Sequence, residues 1–497
     1  MDSMQFPLYM LLLLLMAAVV IPVMTKDFDG KSKATILGTL AIVWGMAVYL
    51  LVDVFQNGAR LYNIGNWSAK IGIQFNIDEF STFMVFFIIS LAILIVVYSI
   101  KDIEHEIYPK QIAGYYSLVF LLLLGMVGIT FTNDLFNTYV FMEILAITSC
   151  AIISIKRKKQ NYMAAFRYLI LNTLGSLSFL FGLALLYMVT GYLNMGEIYR
   201  VMGEVWQFYP RNLLLALGLM LTGLGIKAAV FPLHIWLPDA HSSAPTPSSA
   251  LLSGLVVKVY IFVAMKLLFR VIGLPIVQAI SIPQFITYFA AVGMIMGSVF
   301  AIGQKDIKRL LAYSSVAQIG YIFLGIGLAT AQGFSAALFH VITHALMKSA
   351  LFLSAGAIIY KTGKRDIRDL EGIGYEMPIT MLVFTTGALG MIGIPGLNGF
   401  MSKWYLSFAT LEAGKIVYLI VILISSFLNA VYYLPIIISA FLKEDKERKN
   451  ASEMVWDKLP KAMTVPMIII AALCVIIGFF PQIVMNFVEQ AVVTFLY

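Results

Sequence analysis

Leu213-Leu-Leu-Ala-Leu-Gly-Leu-Met-Leu-Thr-Gly-Leu-Gly-Ile-Lys227-Ala-Ala-Val-Phe-Pro232-Leu-His234-Ile-Trp236-Leu-Pro238 decides the fold, because it joins a lipid-compatible run to a lysine and two prolines that interrupt it. A bilayer core of about 30 Å takes about 20 apolar residues, and the run at 212–234 supplies them. Proline removes an amide donor and frees a carbonyl one turn earlier, so the helix is expected to break near Pro232. A lysine at a helix centre costs about 2.5–3.5 kcal/mol on insertion scales, so Lys227 marks a polar interior and not a lipid-facing surface.

The same apolar character extends in both directions. Of 497 residues, 61% are hydrophobic and 12% charged, and the mean hydropathy is +0.90; a soluble globular domain is excluded. Fourteen runs can be counted, at 7–24, 34–54, 80–100, 113–131, 135–155, 163–190, 212–234, 249–271, 278–303, 310–329, 334–360, 379–408, 416–441 and 463–483. They are continuously apolar, whereas a transmembrane barrel alternates over segments of about 10 residues, so an all-α integral membrane protein is expected. The polar stretches near 55–79, 191–211 and 442–461 are too short for a soluble domain, so any catalytic cofactor domain belongs to another subunit.

Met1-Asp2-Ser3-Met4 has no basic segment, and no small-residue cleavage site follows the first run, which is therefore expected to remain a span. Cys150 and Cys474 lie far apart in apolar runs, with neither a disulfide framework nor metal-ligand spacing. No haem-ligand pair, dinucleotide loop or cysteine cluster occurs, so no cofactor and no catalytic chemistry are expected of this chain itself. Membership in a larger oxidoreductase complex stays open.

The net charge of +8 is explained by topology. Of the 34 Lys and Arg residues, 22 fall in loops after odd-numbered runs, including Lys26, Lys156 to Lys159, Lys305, Lys308, Arg309, Lys361 to Arg368 and Lys443 to Lys461. Seven lie on the other side or at its helix ends, among them Lys266 and Arg270. The positive-inside rule puts the first set in the cytoplasm and both termini outside the cell membrane. With the charge so assigned, no nucleic-acid-binding surface is left.

A second interruption, Gly393-Ile-Pro-Gly-Leu-Asn-Gly399, divides the twelfth run. Runs 4–8 and 9–13 then place a broken seventh and a broken twelfth helix at matching fourth positions, which predicts two five-helix repeats of inverted topology. The expected segments are 1–112 for the first three helices, 113–271 and 278–441 for the repeats, and 442–497 for the fourteenth helix and tail. A proline kink alone explains one break, but not two at matching positions.

Glu143, Lys227, Lys258 and Lys348 sit mid-span, with Lys403 just past the second break and Arg167 nearer a helix end, where it is expected to snorkel to the headgroups. One carboxylate cannot neutralise four lysines. Burial and neighbouring positive charge both favour the uncharged amine, so some of these lysines are expected to be neutral part of the time, which suits a proton relay. His340, His344 and Lys348 recur every four residues and stack on one helix face. His-x-x-x-His is also a zinc spacing; with no nearby carboxylate or thiol ligand, a hydrogen-bonded histidine pair is the better reading. Asp134, Asp239 and His241 are expected at helix caps and turns.

The segment from Lys227 through Pro232, His234, Trp236, Pro238, Asp239, Pro245 and Pro247 to Leu252 resembles the signature of the antiporter-like subunits of respiratory complex I and of Mrp-type cation/proton antiporters. Further matches are Asp134-Leu-Phe-Asn-Thr-Tyr-Val-Phe-Met-Glu143, the stretch from Asp306 to Tyr321, His340-Val-Ile-Thr-His344-Ala-Leu-Met-Lys348, and Gly393 to Lys403. The resemblance implies fourteen helices with two inverted repeats. It makes Glu143 and Lys227 the charge pair that couples to a neighbour, Lys258 with His340 and His344 the central relay, Lys348 a member of that axis and Lys403 the terminal site. The wording around Glu143 and Ser253 to Lys258 is closest to the D-type subunit of Mrp antiporters and its relatives in membrane-bound hydrogenase-type complexes. Lys403 stands where one complex I paralogue carries glutamate, and the chain ends soon after the fourteenth run, without the lateral helix of the distal complex I subunit. The implied function is proton translocation coupled to Na+ within a multi-subunit membrane complex that includes homologous antiporter-like subunits. The alternatives are the ion-pumping module of a redox-driven complex and a non-transporting scaffold subunit.

Overall fold

The computed structural model describes residues 5–24, 28–442 and 457–496; Met1 to Met4, Lys26, Lys443, Lys446, Arg448 and Lys449 lie outside them. Helices α1 (Phe6–Met24) and α2 (Gly30–Asn57) lead into a short antiparallel hairpin, Arg60–Asn63 against Gln74–Ile77, and then into α3 (Glu79–Glu106). α4 (Pro109–Phe131), α5 (Leu135–Ser154) and α6 (Lys159–Thr190) follow, then the amphipathic α7 (Met195–Phe208) and α8 (Pro210–Lys227). Next come α9 (Leu237–Ser243), α10 (Thr246–Leu251), α11 (Val257–Met265) and α12 (Leu274–Ala279), the last three joined by π-helical turns at Leu252–Val256 and Lys266–Gly273. α13 (Ile282–Ile302), α14 (Ile307–Gly327) and α15 (Ala331–Thr362) are long again, and α16 (Ile373–Glu376) is a single turn. α17 (Pro378–Ile392) and α18 (Asn398–Glu412) precede α19 (Ile416–Leu442), α20 (Lys461–Phe479) and α21 (Gln482–Leu496).

Among the described residues, eleven helices are long and apolar enough to cross a membrane. The other three apolar runs of the sequence, the seventh, eighth and twelfth, are each divided. The seventh and twelfth break where proline and glycine demand it. The eighth is divided by π-helical turns, an interruption that carries no proline or glycine signature strong enough to read in advance.

At the seventh and twelfth breaks, side chains as well as backbone amides take up freed carbonyls. α8 stops at Lys227; Ala229 takes a left-handed conformation with φ 54°, and the Trp236 indole donates to the Ile226 carbonyl at 2.8 Å. α17 stops at Ile392, with Gly393 at φ 93°, and its last carbonyls accept from Lys403 and Asn429. Asp457 caps the other end of α17 by accepting from the amides of Ile379 and Thr380.

The centre is formed by α14 and α15, whose apolar stretches are 94% buried, whereas α2 and α19 are only 28% buried and face outward. Close approach at the second break depends on Gly399: a Cβ there would lie 1.9 Å from the Gly390 carbonyl oxygen. Gly399→Ala is therefore expected to destabilise the α17–α18 break by about 1–3 kcal/mol or more, the range for overpacking a tight contact, read as a lower thermal transition of the purified protein. An unchanged transition would mean that the break opens without cost.

Candidate functional site

Glu143 lies mid-way along α5 and Lys227 ends α8, and their charged atoms are 3.2 Å apart. The Lys227 side chain is fully buried, but that of Glu143 is 29% exposed, at mid-span on the outer surface of the chain. The hydroxyl of Ser176 on α6 also donates to the same carboxylate oxygen. The ring of Tyr260 lies 5.5 Å from Lys227 Nζ, two residues after Lys258 on α11, and so joins this pair to the groups deeper inside.

Lys258 points back along its own helix and donates to the Ser253 carbonyl in the π-helical turn. That turn packs tightly on α15: a Cβ at Gly254 would meet Ser349 Oγ at 2.8 Å. Lys258 is consequently in electrostatic contact with His340, His344 and Lys348, all wholly buried on α15. Lys348 Nζ donates to the Leu311 carbonyl at 2.8 Å and to the Ser314 hydroxyl, which pairs with Tyr433 at 2.9 Å. His340 Nδ1 is 2.9 Å from Ser402 Oγ, and its ring stacks on Tyr321 at 5.4 Å. The other face of this connection is Lys403, whose Nζ stands 5.0 Å over the same Tyr321 ring. Lys403 donates to the carbonyls of Met391 and Ile392, at 2.8 and 2.9 Å, and to Ser426 Oγ at 3.0 Å.

Several buried polar atoms of this interior have no protein partner: both ring nitrogens of His344 and of His241, His340 Nε2, both amide atoms of Gln318, and Asn398 Oδ1. Buried polar groups are rarely left unpaired, and internal water is the usual partner. An arrangement of amines, imidazoles, hydroxyls and such atoms has the chemistry to pass protons from group to group.

A family model described as NADH:quinone oxidoreductase/Mrp antiporter, TM, matches residues 132–429, a stretch that holds all seven candidate residues from Glu143 to Lys403. The chain belongs to this family. The N-type subunit of the NADH-quinone oxidoreductase of Desulforudis audaxviator is 35% identical over 91% of this chain and 91% of its own length. The D-type subunit of the Na(+)/H(+) antiporter of Alkalihalophilus pseudofirmus is 31% identical over 87% of this chain and 86% of its own. The fold is that of a chain in the Mrp complex from Dietzia sp., with a TM-score of 0.89, 24% identity and coverage of 100% of this chain and 98% of that one. A chain of the membrane-bound sulfane sulfur reductase, an archaeal respiratory membrane complex, matches with a TM-score of 0.89 at 29% identity, covering 99% and 98%.

This antiporter-like subunit departs from several expectations. Lys308, expected in a loop, lies in the first turn of α14, 1% exposed, and donates to the Ala244 carbonyl at 2.7 Å. Lys266, expected at a helix end on the opposite face, is also buried, because its ammonium caps the C-terminal end of α4 through the carbonyls of Ile129, Thr130 and Thr132. Asp134 is the expected cap, accepting from the Asn137 amide. Asp239 is no cap: it pairs with Arg167 at 2.5 Å and Arg309 at 2.9 Å, so Arg167 has a carboxylate partner and not headgroups alone. His340 and His344 are not the expected hydrogen-bonded pair: their rings stack with centroids 5.9 Å apart, His340 Nδ1 meets Ser402, and His340 Nε2 and both His344 nitrogens have no protein partner. Asp102 and Glu106 are not singled out by the sequence reading, and His241 only as a helix-end residue; an i, i+4 carboxylate pair just beyond the third run is the signal that could find them.

Proposed function

We propose that this chain moves protons along a buried axis of Glu143, Lys227, Lys258, His340, His344, Lys348 and Lys403, as one subunit of a multi-subunit complex in the cell membrane that exchanges H+ for Na+. The observation that carries the reading is the Glu143–Lys227 pair. A carboxylate 29% exposed at mid-span belongs against another protein surface and not against lipid. A neighbouring antiporter-like subunit is the fitting partner, and its charge would pull on Glu143. When Glu143 holds Lys227, repulsion on Lys258 is at its weakest and Lys258 takes up a proton; when the pair parts, the proton moves on towards Lys403. A unit charge pair at 4 Å and an effective dielectric near 20 is worth about 4 kcal/mol, enough to drive such a shift.

The Na+ partner in the exchange is supported by the Na(+)/H(+) antiporter relatives. The two broken helices at matching positions, α8 and α17–α18, support the reading of 113–271 and 278–441 as inverted repeats flanked by 1–112 and 442–497. The concentration of Lys156, Lys158, Lys159, Arg309 and Arg365 around one cavity supports a cytoplasmic position for that face, and with it both termini outside. A second reading, the pumping module of a redox-driven complex, is favoured by the 35% identity to an NADH-quinone oxidoreductase subunit.

The test is Lys258→Met in the complete complex, in vesicles carrying a pH-sensitive dye. Na+-dependent proton movement is expected to fall by about a hundredfold or more with all subunits present. Intact flux with altered assembly would leave only a scaffold role. Co-purifying subunits with iron–sulfur clusters would assign the redox-driven reading over the antiporter.

A further inference from the structure

A cavity of about 350 Å³ opens beside the last turn of α3, on the face that carries Lys156 and Arg365, with Asp102, His105, Glu106 and Tyr360 on its walls. Glu106 is fully engaged: it pairs with Lys156 and accepts from the Thr246 amide at 2.7 Å. Asp102, one turn earlier, interacts with the Glu106 carboxyl through both charge and a side-chain hydrogen bond. It is 1% exposed, and its Oδ2 has no protein partner. A buried carboxylate oxygen is not left bare, so it carries a proton or a water.

Asp102 and Glu106 both interact with Lys308, the buried lysine of α14. Lys308 in turn lies within electrostatic range of His241, three residues before the Ala244 carbonyl that it holds. The His241 ring is wholly buried and packed on Phe352, with neither nitrogen hydrogen-bonded to protein, and it lies in electrostatic contact with Lys348 and Lys258. These groups are ordered from an open cavity to the lysine row within electrostatic range of one another, and no hydrogen bond joins successive members among the described residues, so water is needed to bridge them. The remaining groups around Asp102 are the phenols of Tyr98, Tyr115 and Tyr116 and the three cations Lys156, Lys158 and Arg365.

We propose that this cavity is the port through which protons pass between the cation-rich aqueous face and the buried axis, with Asp102 as the loading group and Lys308 and His241 as the steps inward. The proposal rests on the reading of the chain as a proton carrier. Three cations beside two carboxylates oppose a bound metal cation, and the two carboxylates oppose an anion, so a proton is the species that the site suits. A hydronium gives its proton to Asp102 Oδ2, and Asp102 passes it through a bridging water to the neutral Lys308 amine. The ammonium so formed gives it through water to one nitrogen of His241, which releases a proton from the other nitrogen, again through water, to the Lys348 amine. Asp102, Lys308 and His241 each take one proton and give one; His241 is left in its other tautomer and is reset by a ring flip, and Lys348 carries the proton into the axis.

The test uses the complete complex in membrane vesicles, with Asp102→Asn beside Lys258→Met and beside Glu104→Gln, an exposed carboxylate paired with Lys33 that lies off the line. Asp102→Asn is expected to slow Na+-dependent proton movement by about a hundredfold and to flatten its dependence on pH, while Glu104→Gln keeps the wild-type rate and profile. A wild-type rate and profile in assembled Asp102→Asn, with Lys258→Met inactive, overturns the port and leaves the carrier reading standing. An active Lys258→Met overturns the carrier reading itself. Should Asp102→Asn fail to assemble, the wild-type complex is treated with a carbodiimide and the modified residue located by mass spectrometry. Modification at Asp102 with loss of transport supports the port; modification with transport retained, or none at saturating reagent, overturns it.

Discussion

Replacing Glu143 by alanine is expected to abolish Na+-dependent proton movement, and to cost more stability than replacing its partner Lys227, although the two form one ion pair. The asymmetry follows from burial. Lys227 is fully buried and the Glu143 side chain is 29% exposed, so Glu143→Ala strands an ammonium in the interior with its carboxylate partner gone and the Tyr260 ring 5.5 Å from its charge. Removing one partner from a buried pair costs about 3–5 kcal/mol when the survivor remains charged. Lys227→Ala leaves a carboxylate that keeps the Ser176 hydroxyl and partial access to its surroundings, and its cost is expected nearer the range of about 1–3 kcal/mol for an under-satisfied polar group. On the proposed mechanism both variants are expected to lose transport to a similar degree, because either one would remove the switch that alters the field at Lys258. Thermal transitions of the purified complexes, measured beside vesicle transport, check both halves. Transport at the wild-type rate in an assembled Glu143→Ala complex would sink the coupling role. Equal stability losses would mean that Lys227 is no more isolated than Glu143.

The row of Lys227, Lys258, Lys348 and Lys403 is legible in the sequence because charge inside an apolar run stands out against its surroundings, and the two breaks are legible because proline and glycine have fixed backbone consequences. Hydropathy counts residues, however, and not directions. Lys308 and Lys266 sit at the edges of apolar runs, where a sequence reading assigns them to water; the fold turns both inward, onto the carbonyls of Ala244 and of the α4 terminus. Asp102 is hidden for the same reason, lying two residues past an apolar run yet 1% exposed. The partner of a charge is harder still to read. Asp239 is followed by small polar residues that suggest a turn, and only tertiary packing brings Arg167 and Arg309 to it from 72 and 70 residues away. The π-helical turn that aims Lys258 at Ser253 leaves little mark in composition, since Leu252–Val256 holds one serine and one glycine among three aliphatic residues.

Lys403 allows the proton path to be separated from the fold that holds it. Its ammonium donates to the last two carbonyls of α17, the negative end of that helix, and faces the π surface of Tyr321. Every neighbour is therefore chosen for a cation. Lys403→Glu, though it restores a residue type that a related paralogue uses, is expected to set a carboxylate against two carbonyl oxygens and a ring face, and to be less stable than Lys403→Met by about 2 kcal/mol. Loss of transport in either variant does not by itself distinguish an uncapped helix from a missing proton carrier. Lys403→Arg does. A guanidinium keeps the charge and the donors that the carbonyls require but does not give up its proton under working conditions. The arginine variant is expected to keep the thermal transition and subunit composition of the wild type while losing proton movement. Transport at the wild-type rate by this variant would remove Lys403 from the path and leave it as the cap of α17, and the axis would then end at His340.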